Sequence, residues 1–130
     1  MPGKGSTAPL PDGAVVVRGG QNLPENFARG TGVTIDADGR LQGASVNCVP
    51  GLSVEELTAP NLQAGHPGIP HKQIGVTTVG AVRTYGGDVV SSPSPNNPYH
   101  ATLGGITPER ASKLFRPTIE NPNRHEKRSK

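Results

Sequence analysis

The sequence predicts an α+β fold, a single small domain built on one mostly antiparallel sheet with three short helices. Three observations predict it. Short β-branched or alternating runs recur between Gly, Pro and Asn clusters; three segments carry helix-start signals; and the elements run strand, helix, hairpin, helix, several strands, helix. The 18 Gly and 14 Pro of the 130 residues fall largely between these segments, so they mark element ends.

Residues 1–13 carry no periodic apolar pattern and are expected to form a flexible leader, with the domain spanning 14–117 and a polar basic tail at 118–130. Ala14-Val15-Val16-Val17-Arg18, closed by Gly19-Gly20, has the composition of a buried strand. Asn22 to Gly30 predicts a short helix, with Asn22 as cap and Pro24 in the first turn. Val33 to Ile35 and Leu41 to Val49 flank Asp36-Ala37-Asp38-Gly39-Arg40, which predicts a hairpin. Asp36 and Asp38 resemble the start of a calcium loop, but no acidic residue follows before Glu55, so a turn is the expectation.

Leu52-Ser53-Val54-Glu55-Glu56-Leu57 combines a capping Ser, a Glu three residues later and two staple leucines, a complete helix start that Pro60 cuts short. Residues 61–72 mix Gly and Pro with His66 and His71 and predict a long loop. Gln73 to Tyr85 predicts a strand pair or one bent strand with a bulge at Gly80, continued by Asp88 to Ser91. After the Pro-rich loop at 92–98, Tyr99 to Leu103 predicts a strand. Thr107 to Phe115 predicts the clearest helix, capped by Thr107 and started by Pro108.

The net charge of +3 belongs to the last seven residues, since Arg124, Lys127, Arg128 and Lys130 stand there against Glu126. The rest is neutral, so a nucleic-acid reading must rest on placed groups. One cysteine, Cys48, excludes an internal disulfide, and it shares a strand face with Ala44 and Val46, as a core thiol would. No apolar run reaches the ~20 residues of a membrane span and no secretory signal opens the chain, so no membrane partner and a cytoplasmic location are expected.

Phosphate-loop, dinucleotide, zinc-protease and serine-elbow motifs are all absent, and His66, His71, His100 and His125 have no metal-ligand spacing. No metal and no cofactor are therefore expected. Strand alternation puts His100 and Thr102 on the face opposite Tyr99, Ala101 and Leu103, and Ser45 and Asn47 opposite Ala44, Val46 and Cys48. Were the sheet to bring these faces together, Arg18, Ser45, Asn47, His100 and Thr102 would line one groove; otherwise they cover its solvated side. Cleaving RNA through its own 2′-hydroxyl needs a base, an acid and cations for the phosphate. His100 and His71 fit the first two roles, Arg18 and Lys72 the third, with Thr102 or Ser45 donating a hydrogen bond and Asn47 and Tyr99 as further substrate contacts.

At Val15-Val16-Val17-Arg18-Gly19-Gly20 and Gly43-Ala44-Ser45-Val46-Asn47 the sequence resembles ADP-ribosyltransferase-type domains, over residues 15–59. In those domains an Arg-Gly on the first strand and a later Ser-bearing strand, followed by a short helix, bind NAD. The resemblance implies NAD as substrate and Arg18 and Ser45 as its contacts. The strand matched to the one that opens with a catalytic Glu in such transferases opens here with Gln73. Arg-Gly-Gly, Ser-Val-Asn, Gln-Ile-Gly-Val-Thr-Thr-Val-Gly and His-Ala-Thr-Leu together are similar to small bacterial proteins of the toxin or effector kind. That resemblance implies a bacterial origin and a toxin-like role with a neutralising antitoxin or immunity protein as partner. The expected function is a metal-independent ribonuclease. An NAD-consuming transferase is the alternative, and a protein-binding module with two Pro-rich loops the second.

Overall fold

Three consecutive valines favour extended backbone and can be covered on both sides, and they form β1 (Val15–Gly19) at the centre of the structure. The structure, a computed structural model, describes residues 9–30, 32–60, 65 and 68–123. After β1 come α1 (Pro24–Ala28), β2 (Thr34–Ile35), β3 (Leu41–Gln42), β4 (Ala44–Asn47), α2 (Val54–Thr58), β5 (Gln73–Thr78), α3 (Val79–Thr84), β6 (Asp88–Ser91), β7 (His100–Gly104), α4 (Pro108–Phe115) and β8 (Ile119–Glu120). Six strands form one sheet in the order β6-β7-β4-β1-β5-β8, and β2 and β3 pair separately. Every neighbouring pair is antiparallel, so the α+β class with an antiparallel sheet is borne out.

The helix starts follow local chemistry. Ser53 Oγ accepts from the Glu56 N–H at 3.1 Å while the Glu56 carboxylate accepts from the Ser53 N–H at 2.9 Å, closing the expected capping box. Thr107 Oγ1 accepts from the Arg110 N–H, with Pro108 in the first turn of α4. The 36–40 turn also forms, with Asp36 Oδ1 accepting from the Asp38 and Arg40 N–H groups.

Several expectations need correction. Leu41 to Val49 is not one strand: Gly43, at φ +85°, breaks it into β3 and β4, and a Cβ there would stand 2.7 Å from the Gly32 carbonyl. Gln73 to Tyr85 is not all strand either. A fourth helix, α3, starts at Val79, because Thr78 caps it and Val79 and Val82, three apart, reach the core together. Asn22 does not cap α1; it is buried at φ +58°, and Asn26 supplies the side-chain acceptor for the Leu23 N–H. Leu10 is buried and Asp12 pairs with Arg83 at 2.6 Å, so the fold begins before Ala14; residues 1–8 lie outside the described residues. At the other end β8 pairs with β5 and Asn121 is buried, so the chain stays docked to 123, and the basic residues 124–130 lie outside the described part.

The sheet is covered on both faces. Paired residues share a face, so Val16, Ala44, Val46, Val89, Ala101 and Leu103 pack together under α1, α3 and α4, with Phe27 and Phe115 in contact at 5.6 Å between ring centroids. The opposite face carries Val17, Ile74 and Val76, covered by Leu57 of α2 and by Ile69. Past that cover the second face is polar, with Ser45, Asn47, His100 and Thr102. Phe115 is fully buried, and Phe115→Ala is expected to cost about 3–5 kcal/mol. Urea unfolding should show this as a lower midpoint at unchanged slope.

Candidate functional site

β1 and β4 are neighbours, yet they pair at one position only, Val17 with Asn47. Beyond it Gly19 and Ser45 are unpaired with each other, and a groove of about 530 Å³ opens between the strand ends, lined by Arg18, Gly19, Gly20, Gln21, Asn26, Ser45 and His71. A smaller cavity of about 180 Å³ adjoins it and shares Arg18, Gly19, Ser45 and His71, adding Asn47, Asn97 and His100. Of the five residues expected in one groove, Arg18, Ser45, Asn47 and His100 line these adjoining cavities, with His71 beside them, while Thr102 lines neither.

Arg18 reaches the groove by an unexpected route. It pairs with Gly75 across β1 and β5 and so lies on the Val16 face, opposite the face that carries Ser45, Asn47, His100 and Thr102. Its place at the end of β1, where β4 turns away, lets the guanidinium line the opening all the same. The side chain lies over the Phe27 ring, 4.2 Å from its centroid, while one nitrogen donates to Asn22 Oδ1 at 2.9 Å and another to the Asn26 carbonyl at 3.3 Å. Asn22 in turn donates to the Arg18 and Gly20 carbonyls, which fixes the turn after β1. Burial lowers the Arg18 pKa. Among the described residues no carboxylate forms an ion pair with it.

His71 packs against the end of β1. A Cβ on Gly19 would overlap the His71 ring and stand 2.7 Å from Ile69 Cγ2, so the absent side chain at 19 is what admits the imidazole. The 69–72 wall is held from behind by Asn121, whose amide donates to the Ile69 and His71 carbonyls at 2.7 and 2.9 Å.

His100 stands at the far wall. Its Nε2 is 3.0 Å from Ser45 Oγ; its Nδ1 is 2.8 Å from Ser92 Oγ and 3.0 Å from the Ser92 carbonyl. Ser92 Oγ is also 2.8 Å from Thr102 Oγ1. The residues that sequence reasoning missed are therefore Asn22, Asn26, Ser92 and Asn97. Ser92 had a usable signal, since a hairpin joining β6 to β7 sets it across from His100, as the Ser92 N–H to His100 carbonyl bond at 3.0 Å records.

Other candidates fall elsewhere. Lys72 is exposed and lines neither cavity. Thr102 shares the His100 face but bonds to Ser92 and lines a separate cavity near Gly104. Asn47 is spent structurally, donating to the Leu57 carbonyl and accepting from Asn97. Tyr99 packs against the second core cluster. Gln73 accepts from Thr118 and stays outside the groove. His66 and His125 lie outside the described residues. Cys48 is buried in the core, as its strand face predicted, and burial pushes its thiol up to about 11.

No protein-family model matches the chain, and no solved structure matches it. Among curated proteins it is 32% identical to Protein RhiC of Rhizobium leguminosarum bv. viciae over 85 residues, which are 65% of this chain and 51% of RhiC. The chain spans about half the length of that relative.

Gly19→Ala should displace the His71 and Ile69 wall and cost about 1–3 kcal/mol; a thermal melt matching wild type would contradict the close packing. The native protein should leave Cys48 unmodified by a thiol reagent at neutral pH, and denaturant should expose one reactive equivalent, read by absorbance.

Proposed function

We propose that the groove between β1 and β4 binds NAD and that the protein cleaves its nicotinamide–ribose bond, as an ADP-ribosyltransferase or glycohydrolase of the bacterial toxin kind. The observation that carries this reading is Arg18: a half-buried guanidinium with two neutral hydrogen-bond acceptors and no ionic partner among the described residues, lining a groove of about 530 Å³. A desolvated cation of this kind is stabilised by a bound anion, and a diphosphate supplies one. Gly19 and Gly20 leave the backbone open to close approach, and Ser45 faces the same space. These are the positions through which the resemblance to ADP-ribosyltransferase-type domains implies NAD contact.

The chemistry favours NAD over RNA. Nicotinamide is cationic within NAD and leaves as a neutral ring, so the departing group needs no acid. The site then has to hold the phosphates, orient the ribose and present an acceptor, which Arg18 and the Ser45–His100 pair are placed to do. RNA cleavage asks for an acid and a base, each within hydrogen-bond reach of the reacting oxygens, with cations on the phosphate. Lys72 stands outside the groove, and both His100 nitrogens already face Ser45 and Ser92. A ribonuclease remains the second reading on one observation: His71, His100 and Arg18 line the same small cavity.

No helix among the described residues is long and apolar enough to cross a membrane. Both substrates are cytosolic metabolites or polymers, which sets the proposed action in the cytoplasm of a target cell, with a neutralising protein needed by the cell that makes it. Arg18→Met keeps the stem over Phe27 and removes the charge. It is expected to weaken NAD binding by about 10–100-fold, the size of a lost charged hydrogen bond, measured by titration calorimetry. Incubation with NAD should release nicotinamide. Discrete fragments from total RNA in EDTA with NAD untouched would replace this reading by the ribonuclease.

A further inference from the structure

The Ser45–His100–Ser92 chain has a direction. The Ser92 carbonyl oxygen carries no proton, so a ring nitrogen 3.0 Å from it must donate, which fixes the proton of the neutral imidazole on Nδ1. Ser92 Oγ, also beside Nδ1, is then an acceptor from the ring, and in its 2.8 Å contact with Thr102 Oγ1 either hydroxyl can donate. Nε2 is left with its lone pair facing Ser45 Oγ at 3.0 Å, so the Ser45 hydroxyl is the donor in that bond. A hydroxyl aimed at an imidazole lone pair, whose other nitrogen is oriented by a third group, is the arrangement that activates serine nucleophiles. Ser45 is exposed, and it shares the groove with Arg18, which has no ionic partner among the described residues.

We propose that Ser45 is a nucleophile, activated by His100 and held in register by the Ser92 carbonyl, that takes ADP-ribose from NAD as a covalent adduct. The electrophile rests on the NAD reading above. Ser45 Oγ forms a bond to C1′ of the nicotinamide ribose as the C1′–N bond breaks; that electron pair goes to the ring nitrogen, nicotinamide leaves neutral, and the Ser45 proton passes to His100 Nε2. In the second step a water or an acceptor hydroxyl attacks C1′ and loses a proton to solvent. The C1′–Oγ pair returns to Ser45, which regains its proton from His100.

The test incubates the full chain with NAD, follows nicotinamide release, quenches with acid and maps the adduct by peptide mass, for the wild type, Ser45→Ala and Ser45→Cys. The expected result is one ADP-ribose on the Ser45 peptide, a longer-lived adduct on the Cys variant, and release slowed about 100-fold or more in Ser45→Ala, as loss of nucleophilic and base catalysis implies. Thermal melts of both variants should match wild type, since Ser45 is exposed. Release at the wild-type rate in Ser45→Ala overturns the nucleophile and leaves the NAD reading standing. Slowed release with no adduct on either reactive protein also overturns it and makes Ser45 a positioning hydroxyl. No release from any of the three overturns the NAD reading and this proposal together.

Discussion

The structure turns on the single register point between β1 and β4. Val17 and Asn47 face each other there, and the Asn47 carboxamide is drawn into two more bonds, to the Leu57 carbonyl of α2 and to the Asn97 amide of the loop before β7. A buried amide with both ends satisfied is costly to move, because shifting it would strand donors and acceptors away from water. Asn47 therefore pins the sheet, the short helix and the loop at one place. With that place fixed, β1 can pair fully with β5 and β4 with β7 while the two central strands part beyond it. The groove is the space left by that divergence, and its walls are set by the two flanking strand pairs.

Arg18 shows how such a gap can hold a charge. The guanidinium lies over Phe27, which also contacts Phe115, so the cation rests on the aromatic part of the main core. Two Asn residues accept from it in place of carboxylates. A carboxylate would have stabilised the free protein more, and it would also have neutralised the charge that a ligand needs. Neutral acceptors orient the group and leave its field open to the groove. His71, by contrast, is placed by an absence, since only glycine at 19 lets a ring lie against the end of β1.

Much of this was legible in the sequence. The capping residues of α2 and α4, the 36–40 turn and the buried strand face of Cys48 each follow from local chemistry that needs no partner element. α3 was hidden because Val-Thr-Thr-Val-Gly-Ala-Val is rich in β-branched residues, and a helix there depends on the core that Val79 and Val82 reach. Alternation grouped Ser45, Asn47, His100 and Thr102 correctly on one face. It could not tell that Arg18 belongs to the other face and enters from the strand end, since that is decided by pairing between distant strands. Nor does alternation separate a polar residue spent on structure, such as Asn47, from one left facing the groove.

The docking of the last described turn has a further consequence. Asn121 binds the carbonyls of Ile69 and His71, its own N–H bonds to the Lys72 carbonyl, and Asn123 reaches Thr58 and the Glu55 carbonyl. The wall that carries His71 is thus fastened to residues near 121 as well as to the end of β1 and to Thr58. These bonds tie the 69–72 backbone and the end of α2 to one short stretch of chain, so the two are positioned together. A substitution at Asn121 would therefore reach His71 through the backbone it holds, although Asn121 itself does not line the groove.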